Sequence, residues 1–512
     1  MDDVVSKRKI ILLEANEIPF RIFDDYIDER PKSYLAKLMA TSKQLSTVCE
    51  DQVELDPWIS WPTLHRGVID EEHQILHLGQ SLSFADEHYP PIWQLLSSQG
   101  VKVGVMGSLH SSSTPSDVDG YAFYVPDFFA NESFAHPPDL AAFQQFNLLM
   151  TRRSARNVET GLPLKSAVEF LKFYATHGVS RTSVTTTFKA LVAERFHRHL
   201  RCRRRSIQPL LSLDLFLHLM HRTQPDFATL YTNHVAAAMH RYWAAAYPDD
   251  PGGTVMPDEW RRLYKDEIRY AMDCLDLMLG RLMTFAERND YMLLVCGSMG
   301  QAAHKSEATS GFMTIVDLDQ FMTRMGLSRS EWTVGHGMVP CVSVAVDPAR
   351  ADAFEEQLRS ISYDGRSMSL EQREIPPLSY DRSGETFHLF VYFERHTGAL
   401  KAEFGSEPVT FESLGWGFYE HQDNIDCSAR HTPYGLLLVH DPAINTAKNS
   451  CRSTISTLDI APTLLNYFGA PVPNYMHAPD SAILDPAVPG TAVVVRAEGG
   501  GVEEMVKRDA SR

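Results

Sequence analysis

The sequence predicts an α/β protein with a doubly wound, mostly parallel sheet flanked by helices. Short apolar runs of the kind that are buried on both faces of a parallel sheet recur along the chain. They are KIILLEA (9–15), VKVGVMGS (101–108), FATLYTN (227–233), YMLLVCGS (291–298) and GLLLVHD (435–441). Helical periodicity separates them, as in PPIWQLLSSQG (90–100) and residues 266–289. Strands that alternate with helices indicate a parallel sheet wrapped by helices.

Three segments interrupt or follow this alternation, and the sequence predicts that they lie outside the α/β core. Residues 135–220 are helical and read as a cap or lid, and residues 340–415 read as a small α+β insertion. The Gly- and Glu-rich tail, 485–512, is expected to be disordered. The core would then comprise residues 1–134, 221–339 and 416–484.

Composition excludes some classes of function and localisation. The net charge of −17 on 512 residues argues against a general nucleic-acid binder. Seven scattered cysteines without a C-x-x-C pair indicate reduced thiols. No apolar stretch reaches the roughly 18 residues of a membrane span, and the first residues lack the layout of a signal peptide. We therefore expect a cytoplasmic protein without a membrane span; the oligomeric state is left open.

The residues that follow each predicted strand are where a site is expected. In open α/β sheets, ligands bind beyond the carboxyl ends of the strands. The first strand ends in LLEANEIP, so Glu14 and Asn16, two residues apart, would share a face. Glu17 would then face away. A role for Asn16 and Glu17 in capping the next helix is the alternative.

Three blocks of sequence carry a resemblance to a known family. PWISWPTLHRGVIDEEH (57–73), PPIWQLLSSQGVKVGVMGS (90–108) and TLDIAPTLLNYFGAPVP (457–473) occur in the order and spacing of that family. With them the chain resembles a divergent member of the alkaline phosphatase superfamily, on the type I phosphodiesterase and nucleotide pyrophosphatase branch, which is sulfatase-like. The resemblance implies an alkaline phosphatase-like fold. It also implies a metal-dependent hydrolase or transferase that acts on a small anionic substrate: a phosphoester, a phosphodiester or a sulfate ester.

The same resemblance implies metal ligands, because the family carries two ions, usually zinc. HTPYGLLLVHDP (431–442) places His431 at a family ligand, and TNHVAAAMHRYW (232–243) does so for His240. With His234 these residues would form an open three-nitrogen zinc site. Packing at a strand end is the alternative for His234 and His240. The ligand set implied in this way is Glu14, Asn16, Asn233, His234, His240 and His431.

The second ion of the family has no anionic anchor in this chain. Where the family has Ser-Asp-His-Gly-Met after the strand, this sequence has Gly297 and Ser298. GHGMVP (335–340) contains His-Gly-Met but lies beyond another helix, and we interpret it as a coincidence. His304 is a weaker replacement ligand. The expectation is therefore one ion, zinc or another divalent metal.

Catalytic candidates come from the first block. Thr63, which precedes Gly67, is the expected nucleophile, with Ser60 as the alternative. An alcohol attacks only when a metal or a base removes its proton, so His65 or Glu14 would assist. Arg66 would pair with an oxygen of the phosphate or sulfate, unless it is a solvated surface charge.

Two questions stay open at this point. The basic run RFHRHLRCRRR (195–205) fits a lid that attracts an anionic substrate, a patch facing a membrane or RNA, or a solvated helix face. The lost second anchor favours, as the alternative to an enzyme, a catalytically inactive pseudo-hydrolase that serves as an anion-binding or regulatory protein.

Overall fold

The structure is a computed structural model. It describes residues 8–52, 55–130, 132–154, 164–305, 311–335, 341–363, 366–370, 378–394, 402–421, 427–444 and 452–488. The predicted tail from residue 489 onward and residues 336–340 of GHGMVP lie outside these ranges.

The strands form one large sheet and several small ones. In chain order they are β1 (Lys9–Ala15), β2 (Lys43–Val48), β3 (Val103–Met106), β4 (Phe123–Val125), β5 (Phe227–Thr232), β6 (Tyr291–Cys296), β7 (Gly300–Ala303), β8 (Gly311–Ile315), β9 (Trp332–Val334), β10 (Cys341–Val346), β11 (Ile361–Tyr363), β12 (Arg366–Ser367), β13 (Ser369–Leu370), β14 (Leu378–Ser383), β15 (Thr386–Val391), β16 (Phe393–Glu394), β17 (Ala402–Phe404), β18 (Glu407–Val409), β19 (Trp416–Glu420), β20 (Ala429–Thr432), β21 (Tyr434–His440) and β22 (Ser453–Ser456). The large sheet has the order β22-β2-β21-β6-β1-β5-β3-β4.

Helices precede and follow these strands. They are α1 (Phe20–Glu29), α2 (Tyr34–Ala40), α3 (Pro57–Arg66), α4 (Asp70–His73), α5 (Ser83–His88), α6 (Ile92–Ser98), α7 (Ala141–Ser154), α8 (Leu164–His177), α9 (Arg181–Phe196), α10 (Arg204–Thr223), α11 (His234–Ala246), α12 (Asp258–Tyr264), α13 (Glu267–Asn289), α14 (Leu318–Arg324), α15 (Ala351–Arg359) and α16 (Ile460–Phe468). Strands and helices therefore alternate through the core, as the sequence predicts.

The large sheet is buried on both faces. Alternate residues of β1 point to opposite sides, so Ile11 and Leu13 join a core with α1, α2, α10, α11 and α13. Ile10 and Leu12 join a second core with α3, α6 and α16. The result is a layer of helices on each face of the sheet, which confirms the predicted fold class.

The sheet is mixed rather than uniformly parallel. Strand β21 is antiparallel to both of its neighbours, β2 and β6. The reason is the edge of the sheet at which β21 begins. Strand β6 ends at the carboxyl edge, and β7 follows it and pairs there with β20. Strand β21 follows β20 directly, so it also begins at the carboxyl edge. A chain that re-enters the sheet from this edge runs opposite to β6.

A second, smaller unit has its own core. Phe321, Val344, Phe354, Phe387 and Trp416 belong to one buried cluster that is separate from the two cores of the large sheet. This cluster covers the predicted 340–415 insertion and extends to β8, which pairs with β19. By contrast, α10, most of which falls within the predicted 135–220 insertion, packs in the main core. Among the described residues, no helix combines the length and apolarity needed to cross a membrane.

Candidate metal centre

Glu17 is the central residue of the site, contrary to the expectation that it faces away. The two-residue alternation of β1 ends at Ala15, and Glu17 adopts a left-handed backbone with φ 58°. This turn redirects its side chain inward, and the residue is buried with 2% relative exposure. Alternation along a strand does not extend through a left-handed turn, so the sequence-based assignment fails at this position.

Two histidines converge on Glu17. His240 Nε2 lies 2.9 Å from Glu17 Oε2, and His431 Nε2 lies 3.1 Å from the same oxygen. The two imidazole rings are 5.0 Å apart at a near-perpendicular angle. One ligand atom from each of the three residues lies within 4.8 Å of the others, an arrangement that can hold a metal ion. We call Glu17, His240 and His431 the edge cluster.

The other ring nitrogen of each histidine has a partner that orients the ring. His240 Nδ1 donates to the carbonyl oxygen of Ala429 at 3.1 Å, and Cys427 Sγ lies 3.4 Å from the same nitrogen. His431 Nδ1 lies 3.3 Å from Asp56 Oδ1. Partners of this kind fix the tautomer and leave Nε2 as the ligand atom in many metal sites. Both Nε2 atoms therefore face the Glu17 carboxylate.

Amide side chains hold Glu17 from the other side. Asn16 Nδ2 donates to Glu17 Oε1 at 2.6 Å and to Asn233 Oδ1 at 2.8 Å. Trp61 Nε1 donates to Asn16 Oδ1 at 2.7 Å, and Gln301 Nε2 donates to Glu17 Oε2. The family resemblance implies Asn16 and Asn233 as metal ligands. In the structure Asn16 contacts the Glu17 carboxylate, and Asn233 contacts Asn16.

The electrostatics of the edge cluster are those of a coupled ion group. Burial alone would raise the pKa of Glu17, but His431 and His240 outweigh it and hold this pKa well below its usual value. Burial alone would lower the pKa of His240 and of His431, but the Glu17 carboxylate outweighs it and raises both. Without a cation, the cluster therefore favours a carboxylate between protonated imidazoles.

The donor set fits a divalent transition metal. Two imidazoles and one carboxylate hold catalytic zinc and non-haem iron in proteins and leave positions open for water or substrate. The position of His431 Nε2 supports this fit, because the atom is buried and lies 3.1 Å from Glu17 Oε2. The cluster also lies at the carboxyl edge of β1, where a ligand is expected in such a sheet.

His234, the third implied nitrogen ligand, lies outside the edge cluster. Its Nδ1 is 2.7 Å from Thr232 Oγ1, and its Nε2 is 3.2 Å from the carbonyl oxygen of Ala271. Burial lowers the pKa of His234 to about 4, although the Ala271 carbonyl raises it in part. These contacts occupy both ring nitrogens of His234, the first residue of α11. The lowered pKa keeps its imidazole neutral at pH 7.

Glu14 lies in a separate buried network under α3. Its Oε1 lies 2.9 Å from His65 Nε2 and 3.0 Å from Ser108 Oγ. The His65 ring stacks on Trp61 with a centroid distance of 5.5 Å. Glu14 and His65, expected as a ligand and a catalytic helper, therefore pair with each other inside the protein.

Thr63, the expected nucleophile, is buried and lies far from the N-terminus of α3, which is the end of the helix that reaches the edge cluster. It lies seven residues, about 10 Å, along α3 from Asp56. Its Oγ1 donates to Asp51 Oδ1 at 2.6 Å and lies 3.0 Å from His73 Nε2. Because His73 Nδ1 accepts from the amide of Ile75, the neutral ring carries its proton on Nε2 and donates to Thr63. His73 is therefore a donor to this hydroxyl and not a base.

The remaining catalytic candidates of α3 also have partners within the protein. Arg66 is 1% exposed, and its Nη2 and Nη1 donate to Asp86 Oδ1 at 2.7 Å and to the carbonyl oxygen of Tyr89 at 2.6 Å. It is therefore not a solvated surface charge. Ser60 Oγ lies 2.8 Å from Ser298 Oγ, also in the interior.

Sequence reasoning did not assign Glu17, which belongs to the edge cluster, or three residues whose side chains contact it: Asp56, Gln301 and Cys427. Glu17 follows β1, Asp56 is the N-cap of α3, and Gln301 lies on β7. The Asp56 side chain does not cap its own helix and contacts His431 instead. A polar residue directly before the proline that starts a helix was the available signal.

Some solved structures are similar to this chain, at low sequence identity and at TM-scores below 0.5. No family model matches the chain, and no curated protein matches its sequence. Murine ectonucleotide pyrophosphatase/phosphodiesterase 5 is similar at 13% identity and a TM-score of 0.38, over 91% of this chain and 96% of that chain. The human protein of that name is similar at 12% identity and a TM-score of 0.39, over 93% and 98%. A mutant of alkaline phosphatase PafA gives 12% identity and a TM-score of 0.43, over 94% and 99%.

These proteins bear the names of the family that the sequence resembles. With TM-scores below 0.5 and identities of 12–13%, these likenesses support no conclusion about the fold or the chemistry of this chain.

Proposed function

We propose that this protein is a metal-dependent hydrolase of phosphoesters or related anionic esters that works with one divalent ion. The observation that carries the proposal is the convergence of the Glu17 carboxylate and the Nε2 atoms of His240 and His431. These three residues would hold the ion, which is zinc or a similar first-row metal by the nature of the donors.

A bound ion would supply Lewis acidity toward the ester oxygen and a supply of hydroxide near neutral pH. The chain's own residues prepare the site. Asp56 and the Ala429 carbonyl hold the two imidazoles with Nε2 toward the centre. Asn16 and Gln301 hold the carboxylate. Asp56 also brings the start of α3 to the cluster, and the positive end of a helix dipole favours an anionic substrate there.

The attacking nucleophile in this proposal is water and not Thr63. The Thr63 hydroxyl is buried, donates to Asp51 and accepts from His73. Its side chain is 0% exposed, so an ester cannot reach the hydroxyl in this conformation. A Thr63→Val variant that retains turnover would support water as the nucleophile, whereas loss of turnover in a folded Thr63→Val variant, with Thr63→Ser active, would restore the alcohol.

A second candidate function is binding without turnover. The specific observation in its favour is that the edge cluster is electrostatically complete without a cation, because Glu17 contacts both imidazoles at ion-pair distances. In that case the chain would be a pseudo-hydrolase whose edge cluster stabilises the fold.

Elemental analysis of the purified protein separates these candidates. We expect near-stoichiometric metal in the wild type and in His88→Ala, an exposed histidine that serves as the matched control. We expect its loss in His240→Ala and His431→Ala. Metal-loaded protein is then assayed with p-nitrophenyl phosphate, bis-p-nitrophenyl phosphate and p-nitrophenyl sulfate. A wild type that neither contains metal nor takes up added zinc would refute the hydrolase proposal and favour the pseudo-hydrolase; metal binding without turnover on any of these esters would keep the metal site but refute the hydrolase.

A further inference from the structure

Helix α9 presents an apolar surface to solvent. Its residues Val184, Phe188, Leu191, Val192 and Phe196 are all exposed, and we call them the α9 stripe. Phe188 is 67% exposed and Phe196 is 76% exposed. Their spacing of three and four residues places them on one side of the helix, over about 18 Å of its length. Contiguous exposed apolar surface of this kind marks an interaction site, whereas single exposed side chains do not.

The opposite side of α9 is fixed to the protein, so the stripe is not the face of a detached helix. Ser180 caps the helix and its amide donates to Asp214 Oδ2 at 3.1 Å. Ser183 Oγ donates to the carbonyl oxygen of Leu210 in α10 at 3.3 Å. At the other end, Arg204 of α10 pairs with Glu194 at 2.7 Å. The helix is therefore held along its length with the stripe outward.

Positive charge surrounds the stripe on an otherwise acidic protein. Residues 179–205 contain eight Arg or Lys and one acidic residue, although the whole chain has 48 basic and 65 acidic residues. Arg181, Lys189, Arg195 and Arg198 are exposed. Arg181 and Arg195 share the side of the stripe by their spacing of three to four residues from its members. The basic run at 195–205 thus lies directly beside the α9 stripe.

This combination favours one occupant. A second copy of the chain would bring two basic surfaces together, which is unfavourable. Valine and leucine do not stack on nucleobases, so a nucleic acid would use only part of the surface. A convex surface on which exposed Phe, Leu and Val side chains lie beside Arg and Lys matches a negatively charged lipid surface, whose headgroups attract the basic residues and whose acyl boundary takes the apolar ones. We propose that α9 docks the protein on an anionic lipid surface, with the stripe among the upper acyl chains and the basic residues against the headgroups.

The test is flotation of the full-length protein with vesicles. We expect binding to vesicles of phosphatidylcholine mixed with phosphatidylserine, weaker binding to phosphatidylcholine alone, and weakening by salt. Reversing the charge of Arg195 and Arg198 to Glu should lower the apparent affinity at least about 25-fold, from about fivefold for each basic residue at the surface. Lys32→Glu, an exposed lysine elsewhere, should leave it unchanged.

The apolar arm uses Phe188→Ser with Phe196→Ser. Because both rings are exposed, the variant should fold, as circular dichroism and thermal unfolding would show, but bind about tenfold or more weakly. Val255→Ser, also at an exposed apolar residue, is the control and should bind normally.

The absence of vesicle binding, or binding that neither variant reduces, would overturn the proposal. Self-association without vesicle binding, abolished by the Phe188 and Phe196 variant, would overturn it in favour of a second copy. None of these outcomes depends on the edge cluster, so they stand apart from the proposed hydrolase function.

Discussion

Replacing His234 with Gln tests whether this residue is a buried neutral imidazole or a metal ligand. In the structure Nε2 contacts the Ala271 carbonyl and Nδ1 contacts Thr232, and the pKa of the ring is lowered to about 4. Gln can donate from its amide to the same carbonyl without taking up a proton. The variant therefore removes the titration of this residue and keeps one of its hydrogen bonds.

The magnitude follows from linkage. In the unfolded chain His234 has a pKa of about 6.5, so the folded protein binds this proton more weakly than the unfolded chain does. The contribution of the neutral ring is present above pH 6.5 and is lost as the pH falls towards 4. With pKa values of about 6.5 and 4, the free energy of unfolding decreases by about 2 kcal/mol between pH 7 and pH 5.

Guanidinium unfolding of the wild type and of His234→Gln at pH 7 and pH 5 measures this difference. We expect the wild type to lose about 2 kcal/mol more than the variant on acidification. The metal content of the variant should equal that of the wild type. Equal losses in the two proteins, or loss of metal from the variant, would refute the assignment of His234 as a buried structural residue.

Other perturbations act on the edge cluster and its supports. Glu17→Gln should lower zinc affinity by calorimetry about 100-fold or more, because a ligand is lost; unchanged affinity would remove Glu17 from the site. Zinc affinity should fall from pH 8 to pH 6, because the raised pKa values of His240 and His431 mean that protons must leave before the metal binds; a flat profile would contradict this. Gly300→Ala should cost about 1–3 kcal/mol, since its Cβ would lie 2.2 Å from a backbone carbonyl oxygen. Gly120→Ala, where nothing lies within 4 Å, should be nearly neutral in the same denaturation assay.

The fold could be predicted from the sequence, because a strand that is buried on both faces appears as a short run of apolar residues. The apolar runs at 9–15 and 291–298 became β1 and β6, since a strand covered on both sides has few polar positions. The antiparallel direction of β21 could not be predicted from the sequence. It depends on the ribbon that precedes it at the carboxyl edge, a contact between β7 and β20 that no local pattern encodes.

Only part of the site could be predicted from the sequence, because some of its contacts depend on the tertiary structure. His240 and His431 are marked by the family resemblance, and the structure brings them together. Glu17 was assigned to the wrong side, because strand alternation was continued across a residue with positive φ. Residues such as Glu14 and His65 look equally suited to chemistry in the sequence. Their mutual contact inside the protein is a property of how α3 packs on β1.

The edge cluster draws its residues from widely separated parts of the chain: Glu17 follows the first strand, His240 lies on α11, and His431 lies on β20. Contacts of such long sequence separation close late in folding, because the loop entropy must be overcome before they form. A chain still in synthesis has no such cluster until residue 431 has been added and the ribbon of β7 and β20 has formed. Uptake of a metal ion by this protein would therefore report completion of its topology, and fragments that retain the helices and most of the sheet would remain unable to capture it.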